Sequence, residues 1–214
     1  MKNTEEFFNK YAYDFDALYG VPNNLLNRII NPIFRKSMKL RFGKTMEFVD
    51  PIQDKTIFDI GCGPGHYTIA LIKAGAKKVV GIDFAEEMIN IAKQKALNEN
   101  VAEKCEFIVS NVFKYQTDEK FDYSILMGFM DYIEDPVRLI NRVISLTKDK
   151  ILFSFPKDEG ILAAQRKLRY RKRCPLFLYK EKDLINLFSR FEPLDYRIEK
   201  IKRDFFVTLF IESK

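Results

Sequence analysis

Hydrophobic positions along the chain recur with two periods, and the switches between them mark the elements. Residues 4–20 set Phe7, Phe8, Tyr11, Phe15 and Leu18 at helical spacing, with acids and a lysine between them. Residues 22–48 read as further helix, with a break expected at Asn31-Pro32, where proline removes an amide hydrogen from the ladder. From residue 56 short apolar runs alternate with amphipathic stretches. TIFDIG (56–61) predicts a strand, and a helix opens near Gly65 and ends at Ala74-Gly75. KKVVGID (77–83) is a second strand, and residues 85–100 form a helix with Met88, Ile91, Ala92 and Leu97 on its apolar side. CEFIVSN (105–111) and FDYSILMG (121–128) are strands, DPVRLINRVISLT (135–147) is a helix with Pro136 in its first turn, and KILFSFP (150–156) is a fifth strand. After Pro156 the pattern changes to a basic stretch over 160–173 and a helix over 181–190. Two strands follow within 193–212, around a polar turn at Lys202-Arg203-Asp204. Strand and helix in alternation predict an α/β fold, a doubly wound, mostly parallel sheet closed by an antiparallel strand.

Composition narrows the classes. The chain has 214 residues, 47% hydrophobic and 31% charged, which suits one domain and excludes a disordered or coiled-coil chain. No window approaches eighteen uninterrupted apolar residues, and the first sixteen residues carry acids and aromatics where a leader would be apolar. A cytoplasmic protein with no membrane span is therefore expected. Three cysteines without a C-x-x-C pair and a single histidine argue against a disulfide framework and a metal site. The net charge of +6 is local. Seven basic residues and no acid lie between Gly160 and Lys180, and the remainder carries 29 basic against 30 acidic residues. One basic element needs explaining, not a uniformly basic coat.

The sharpest local feature is FDIGCGPGHYT, residues 58–68: a strand, then Gly61-Cys62-Gly63-Pro64-Gly65, then a helix. Glycines there admit positive φ and let a ligand lie against bare backbone. A dinucleotide fingerprint would place a third glycine where His66 stands. Asp59 precedes the loop and Asp83 ends the second strand about 20 residues on, where a carboxylate can accept both hydroxyls of a ribose. Acids beside the loop suit a cationic ligand and would repel phosphates.

These residues resemble the class I S-adenosylmethionine-dependent methyltransferases of the small-molecule type, over residues 56 to about 156 and again in the closing strand pair. The resemblance implies a Rossmann-like, seven-stranded sheet with an antiparallel last strand and N-terminal helices. It also implies S-adenosyl-L-methionine as cofactor and S-adenosyl-L-homocysteine as product. Carried over residue by residue, Gly61, Cys62, Gly63 and Gly65 line the methionine and ribose part, Asp59 holds the ammonium and Asp83 the ribose. Phe84 and Met88 pack on the adenine. Asn111, with Val112, stands where the family often has an acid for the adenine amine. Met127 and Gly128 approach the transferring methyl, and Tyr11 and Tyr19 belong to a segment that closes over the cofactor. A plain helix cap at Asp83 and a core role for Met88 are the alternative readings of those two positions.

Methyl transfer needs alignment first and a base only where the acceptor must lose a proton. Asp131 and Tyr132, in MGFMDYIEDP after the fourth strand, and His66, in the first turn after the loop, are the candidate catalytic groups. If the basic segment is helical, Arg166, Arg169 and Arg173 share a face that could clamp a carboxylate or phosphate, the alternative being a solvated face with no specific contact. The expected organisation is a single methyltransferase domain. Residues 1–50 form a helical lid, 51–156 the S-adenosylmethionine core, and 157–214 the substrate cover and closing strands. Its expected reaction is transfer of a methyl group to an O or N atom of a small anionic metabolite, by a monomer or homodimer. An RNA methyltransferase and a non-catalytic S-adenosylmethionine-binding protein are the alternatives. The N/D-P-P-Y motif of base-amine methylation is missing after strand four.

Overall fold

The computed structural model describes Asn9, residues 25–170 and residues 175–211. Seven strands form one sheet in the order β3-β2-β1-β4-β5-β7-β6. They are β1 (Thr56–Ile60), β2 (Lys78–Asp83), β3 (Cys105–Val109), β4 (Phe121–Leu126), β5 (Thr147–Pro156), β6 (Tyr196–Ile201) and β7 (Asp204–Phe210). The first five are parallel, and β7 runs antiparallel to both β5 and β6. The expected Rossmann-like sheet with its antiparallel strand is therefore present.

Alternation along the strands sends side chains to two faces. Phe58, Ile60, Val80, Phe153, Phe155 and Phe205 enter one core layer, covered by α4 (Pro136–Ile144) and α6 (Glu181–Phe188). Ile57, Val79, Tyr123, Ile125, Leu152 and Phe206 enter the other, covered by α2 (His66–Lys73) and the end of α1 (Leu25–Phe48). Each fully buried Phe or Ile contributes roughly 1.5–3 kcal/mol of burial. Helix α3 (Glu86–Asn98) packs beside β3. Helix α4 starts where Asp135 accepts a hydrogen bond from the Arg138 amide (3.0 Å), with Pro136 at a position that needs no donor.

Three expectations are corrected. Helix α1 runs through Asn31-Pro32 without a break: proline forfeits one ladder bond, and the rest of the helix is held by its docked face. Leu97 is 58% exposed, and Ile89 takes its place in the buried face of α3 with Met88 and Ala92. Asp204 is not part of the polar turn but the first residue of β7, paired with Pro156 and Ile201 and buried.

The parallel strands end on one edge. Their order reverses between β1 and β4, the position at which open α/β sheets generally bind their ligands. Helix α5 (Gly160–Tyr170), which carries the first part of the basic segment, follows β5 at the same edge.

Candidate functional site

The loop after β1 is tied down at its start. The Gly61 and Cys62 amides both donate to the Ile82 carbonyl, at 2.8 and 3.0 Å, so the loop turns over the end of β2. Gly61 has φ +72°, and a Cβ built there would lie 2.2 Å from the Phe129 ring, so only glycine fits between β1 and the loop after β4. Gly65 has φ +76° and caps α2. A Cβ there would press on Ala92 and Phe107 at 3.0 Å, so this glycine sets how closely α2 approaches α3 and β3. Cys62 is buried, and burial pushes its thiol well above the usual value, which leaves it a packing residue of the loop.

Asp83 is bound into the same loop. One carboxylate oxygen accepts from the Gly63 amide (3.0 Å) and the other from the Ala85 amide (2.9 Å). The helix-cap reading of Asp83 is not what the geometry shows: Ala85 is the N-cap of α3, and Asp83 bridges the glycine loop to the helix start. Asp59 lies beneath, 1% exposed, and accepts from the Thr68 hydroxyl at 2.7 Å. Burial raises the Asp59 carboxyl to about 7 against the Thr68 hydrogen bond, and the Asp83 charge raises it further. Burial raises Asp83 to about 6 despite its backbone donors. Both carboxylates are desolvated and the Asp83 charge adds to the cost of ionising Asp59, so a cationic ligand beside them would favour their charged forms. Phe84, Ala85, Met88 and Ile91 make a small apolar cluster of their own at the end of β2. Asn111 accepts from the Phe113 amide (2.9 Å), shaping the turn after β3, and Val112 enters the main core.

A second constellation sits after β4. Met127 is buried. Gly128 has φ +77° and donates its amide to Ser154 Oγ at 2.7 Å, and a Cβ there would stand 3.2 Å from the Arg41 guanidinium. Asp131, in the 3-10 turn Met130–Tyr132, is 2% exposed and hydrogen-bonded to Arg166. Arg166 also reaches Asp204 (3.2 Å). Asp204 accepts from Ser37 (3.5 Å) and lies 3.8 Å from Arg41, which donates to Tyr67 (3.2 Å) and Ser154 (3.5 Å). The Phe177 amide donates to the Asp131 carbonyl (2.8 Å). Burial raises the Asp131 carboxyl, with Arg166 opposing, and burial beside Asp131 raises the Tyr179 hydroxyl. Two arginines and two aspartates thus join α1, the β4 loop, α5 and β7 in one buried network.

The structure therefore brings Asp59, Gly61, Cys62, Gly63, Gly65 and Asp83 together, and places Asp131, Tyr132 and Arg166 in a neighbouring group. Arg166 and Asp131, expected to act separately, are partners. His66 stands at the start of α2 with the Lys95 ammonium 3.3 Å from its Nε2. Tyr11, Tyr19 and Arg173 lie outside the described residues, and Arg169 belongs to α5. Arg41, Asp204 and Ser154 were not anticipated as site residues. The signal for Arg41 is the stripe Ser37, Arg41, Thr45 at four-residue spacing, which is buried but polar and so invisible to a search for apolar faces.

The sheet order, the single antiparallel strand and the acid-flanked glycine loop define the class I methyltransferase architecture. The profile of the family described as "Methyltransferase domain" matches residues 52–169, and the chain belongs to that family. It is 30% identical over 107 residues to the mitochondrial ubiquinone biosynthesis O-methyltransferase of Dictyostelium discoideum, covering 46% of this chain and 33% of that protein. It is also 30% identical over 129 residues to the ubiquinone biosynthesis O-methyltransferase of Colwellia psychrerythraea, covering 59% of this chain and 52% of that one. The chain thus spans about a third to a half of these curated relatives. Among solved structures, magnesium protoporphyrin IX methyltransferase from Synechocystis PCC 6803 with bound SAH superposes with a TM-score of 0.75. It is 19% identical, with 96% of each chain covered.

Proposed function

We propose that the protein transfers a methyl group from S-adenosyl-L-methionine to an O or N atom of a small, anionic acceptor. The observation that carries the reading is Asp83, held between the Gly63 and Ala85 amides beside the buried Asp59. A pair of carboxylates against a glycine loop suits a ligand with a cationic ammonium and sulfonium, and would repel a dinucleotide's phosphates. In this reading Asp59 faces the ammonium and Asp83 the ribose hydroxyls. Phe84 and Met88 form the apolar platform for the adenine, with Asn111 at its edge. The cofactor supplies an electrophilic methyl on sulfur. The protein contributes alignment, which is worth about 7–11 kcal/mol where reacting atoms are held in line. Tyr132, in the turn after β4, is the expected group to orient the acceptor or take its proton, while the neighbouring Asp131 is buried and engaged by Arg166. The names of the ubiquinone-pathway relatives support an oxygen acceptor on a small molecule. Localised basicity supports an anionic one, with Arg169 and Arg173 as its expected contacts.

Calorimetric titration with S-adenosylmethionine tests the cofactor assignment. Asp83→Ala is expected to weaken binding by roughly 100-fold or more, since it removes a charge-assisted acceptor and orphans two amides. Asp83→Asn, which preserves an acceptor oxygen, should show a smaller loss. Wild-type affinity in both variants would remove Asp83 from the site.

The acceptor side is tested by kinetics on carboxylate- and phosphate-bearing phenols and amines. Arg169→Glu with Arg173→Glu is expected to raise the acceptor KM by roughly tenfold and leave the cofactor Kd unchanged. An unchanged KM on every accepted substrate would return these arginines to a solvated surface.

A further inference from the structure

Helix α3 begins at a residue that cannot cap it. Its N-cap is Ala85, which carries no side-chain oxygen. An N-cap side chain ordinarily accepts from the second or third helical amide, here Glu87 or Met88. Asp83 stands two residues earlier, but its oxygens are committed, one to the Gly63 amide and the other to the Ala85 amide. The Met88 amide turns back to the Ala85 carbonyl at 3.1 Å. The Glu87 amide is met from 78 residues away along the chain: it donates to Oδ1 of Asn9 at 3.3 Å. Asn9 is half-buried there.

Alanine at the cap position has a physical reason. Ala85 is fully buried and packs with Phe84, Met88 and Ile91 in the apolar cluster at the end of β2. A serine or aspartate at 85 would put a polar group into that cluster. The helix start is therefore apolar at its own N-cap and takes its acceptor from elsewhere in the chain. Much depends on this first turn. The Ala85 amide is one of the donors that fix the Asp83 carboxylate, and Met88 closes the turn on Ala85. A first turn whose amides lack acceptors frays. Fraying here loosens Asp83 and Met88 together.

We infer that Asn9 is a positioning residue of the cofactor site: its side-chain oxygen caps α3 in place of Ala85 and so holds Asp83, Phe84 and Met88 in their binding arrangement. The inference rests on the proposed reading of those three residues as the ribose and adenine side. Asn9 acts through the helix start, so its effect falls on one half of the cofactor. The ribose and adenine depend on it. The methionine end, assigned to Asp59 and the glycine loop, does not.

Two variants of the full chain test this. Asn9→Leu keeps the volume and removes the acceptor. Asn9→Asp keeps the oxygen, and the positive end of α3 accommodates its charge. In the cofactor-free protein, hydrogen exchange at the Glu87 and Met88 amides is expected to quicken roughly fivefold in Asn9→Leu and to stay near wild type in Asn9→Asp. Calorimetric Kd values for S-adenosylmethionine and for methylthioadenosine, which keeps ribose and adenine but lacks the amino acid, should rise by the same factor of roughly fivefold in Asn9→Leu. Asn9→Asp should restore both to within about twofold of wild type. Exchange at β1 and β4 amides reports that the sheet is intact, and should Asn9→Leu disturb it, Asn9→Ala carries the same comparison. Wild-type affinity without the acceptor, or an aspartate variant as weak as the leucine one, overturns the inference. Faster Glu87 exchange with unchanged affinity overturns it as well, and leaves Asn9 a cap alone. Asp83→Ala keeps the two readings apart. Unchanged affinity in that variant refutes the ribose assignment, whereas a loss there with none in Asn9→Leu refutes only the role of Asn9.

Discussion

Asp59→Asn is expected to stabilise the cofactor-free protein at pH 8 and to weaken S-adenosylmethionine binding. Burial lifts the Asp59 carboxyl to about 7, from 3.8. The folded chain therefore holds this proton more tightly than the unfolded one, so stability is highest at acid pH and falls as pH rises through 4 to 7. By pH 8 the ionised group costs up to about 4 kcal/mol. Asparagine keeps an oxygen for the Thr68 hydroxyl and carries no charge, so it removes this cost. The melting temperature at pH 8 should rise by up to about 8–16 °C, and by less than half of that at pH 5, where only part of the cost has built up, since about 1 kcal/mol moves it by about 2–4 °C in a chain of this size. Cofactor affinity should fall at least about tenfold, and in the wild type it should weaken below pH 7, with proton release on binding. Scanning calorimetry at the two pH values and titration in buffers of different ionisation enthalpy measure both effects. Equal shifts at pH 5 and pH 8 would remove charge burial as the cause.

Arg166→Leu is expected to produce the largest loss of stability. It strips the cation from Asp131 and the nearer cation from Asp204, both buried, and leaves Asp204 with Arg41 at 3.8 Å and the Ser37 hydroxyl at 3.5 Å. Removing one member of a buried ion network costs about 3–5 kcal/mol, because the remaining charges are left without compensation. The melting temperature should fall by about 6–20 °C. Arg166→Lys should recover only part, since an ammonium cannot bridge two carboxylates as the planar guanidinium does. Adding Asp131→Asn to Arg166→Leu should recover more, by removing the uncompensated charge. A loss below about 2 °C in Arg166→Leu would show that the network contributes little.

Much of this architecture was legible in the chain because buried parallel strands read as unbroken apolar runs. Each is punctuated by glycine or an acid at the edge where ligands bind, as in FDIGCGPG and VVGID. What escaped was whatever does not follow apolar spacing. Pro32 reads as a stop in one dimension, yet a helix already docked through Thr45 and Val49 tolerates the loss of one bond. Leu97 and Ile89 lie about two turns apart on α3, and an apolar pattern alone did not settle which rotation of the helix the sheet accepts. Arg41, Asp131, Arg166 and Asp204 are spread over 163 residues, so their convergence depends on topology and not on spacing. The glycine loop and Asp83 are local in sequence, so their proximity follows from spacing along one strand–loop–helix unit. The ion network is global and was seen only as separate charges.

The place of β7 bears on how the chain comes together as it is made. β5 needs β7 on its outer side, and β6 pairs with β7 alone. While synthesis has reached only residue 201, β5 has one open edge and β6 has no strand to join. The chain must wait for residues 204–210, insert them between two segments already made, and only then close the sheet. Asp204 opens that last strand, so the ion network forms in the same event. The outer edge of β5 therefore has no strand to pair with until residues 204–210 are available, and an open edge of this kind is where another chain can pair.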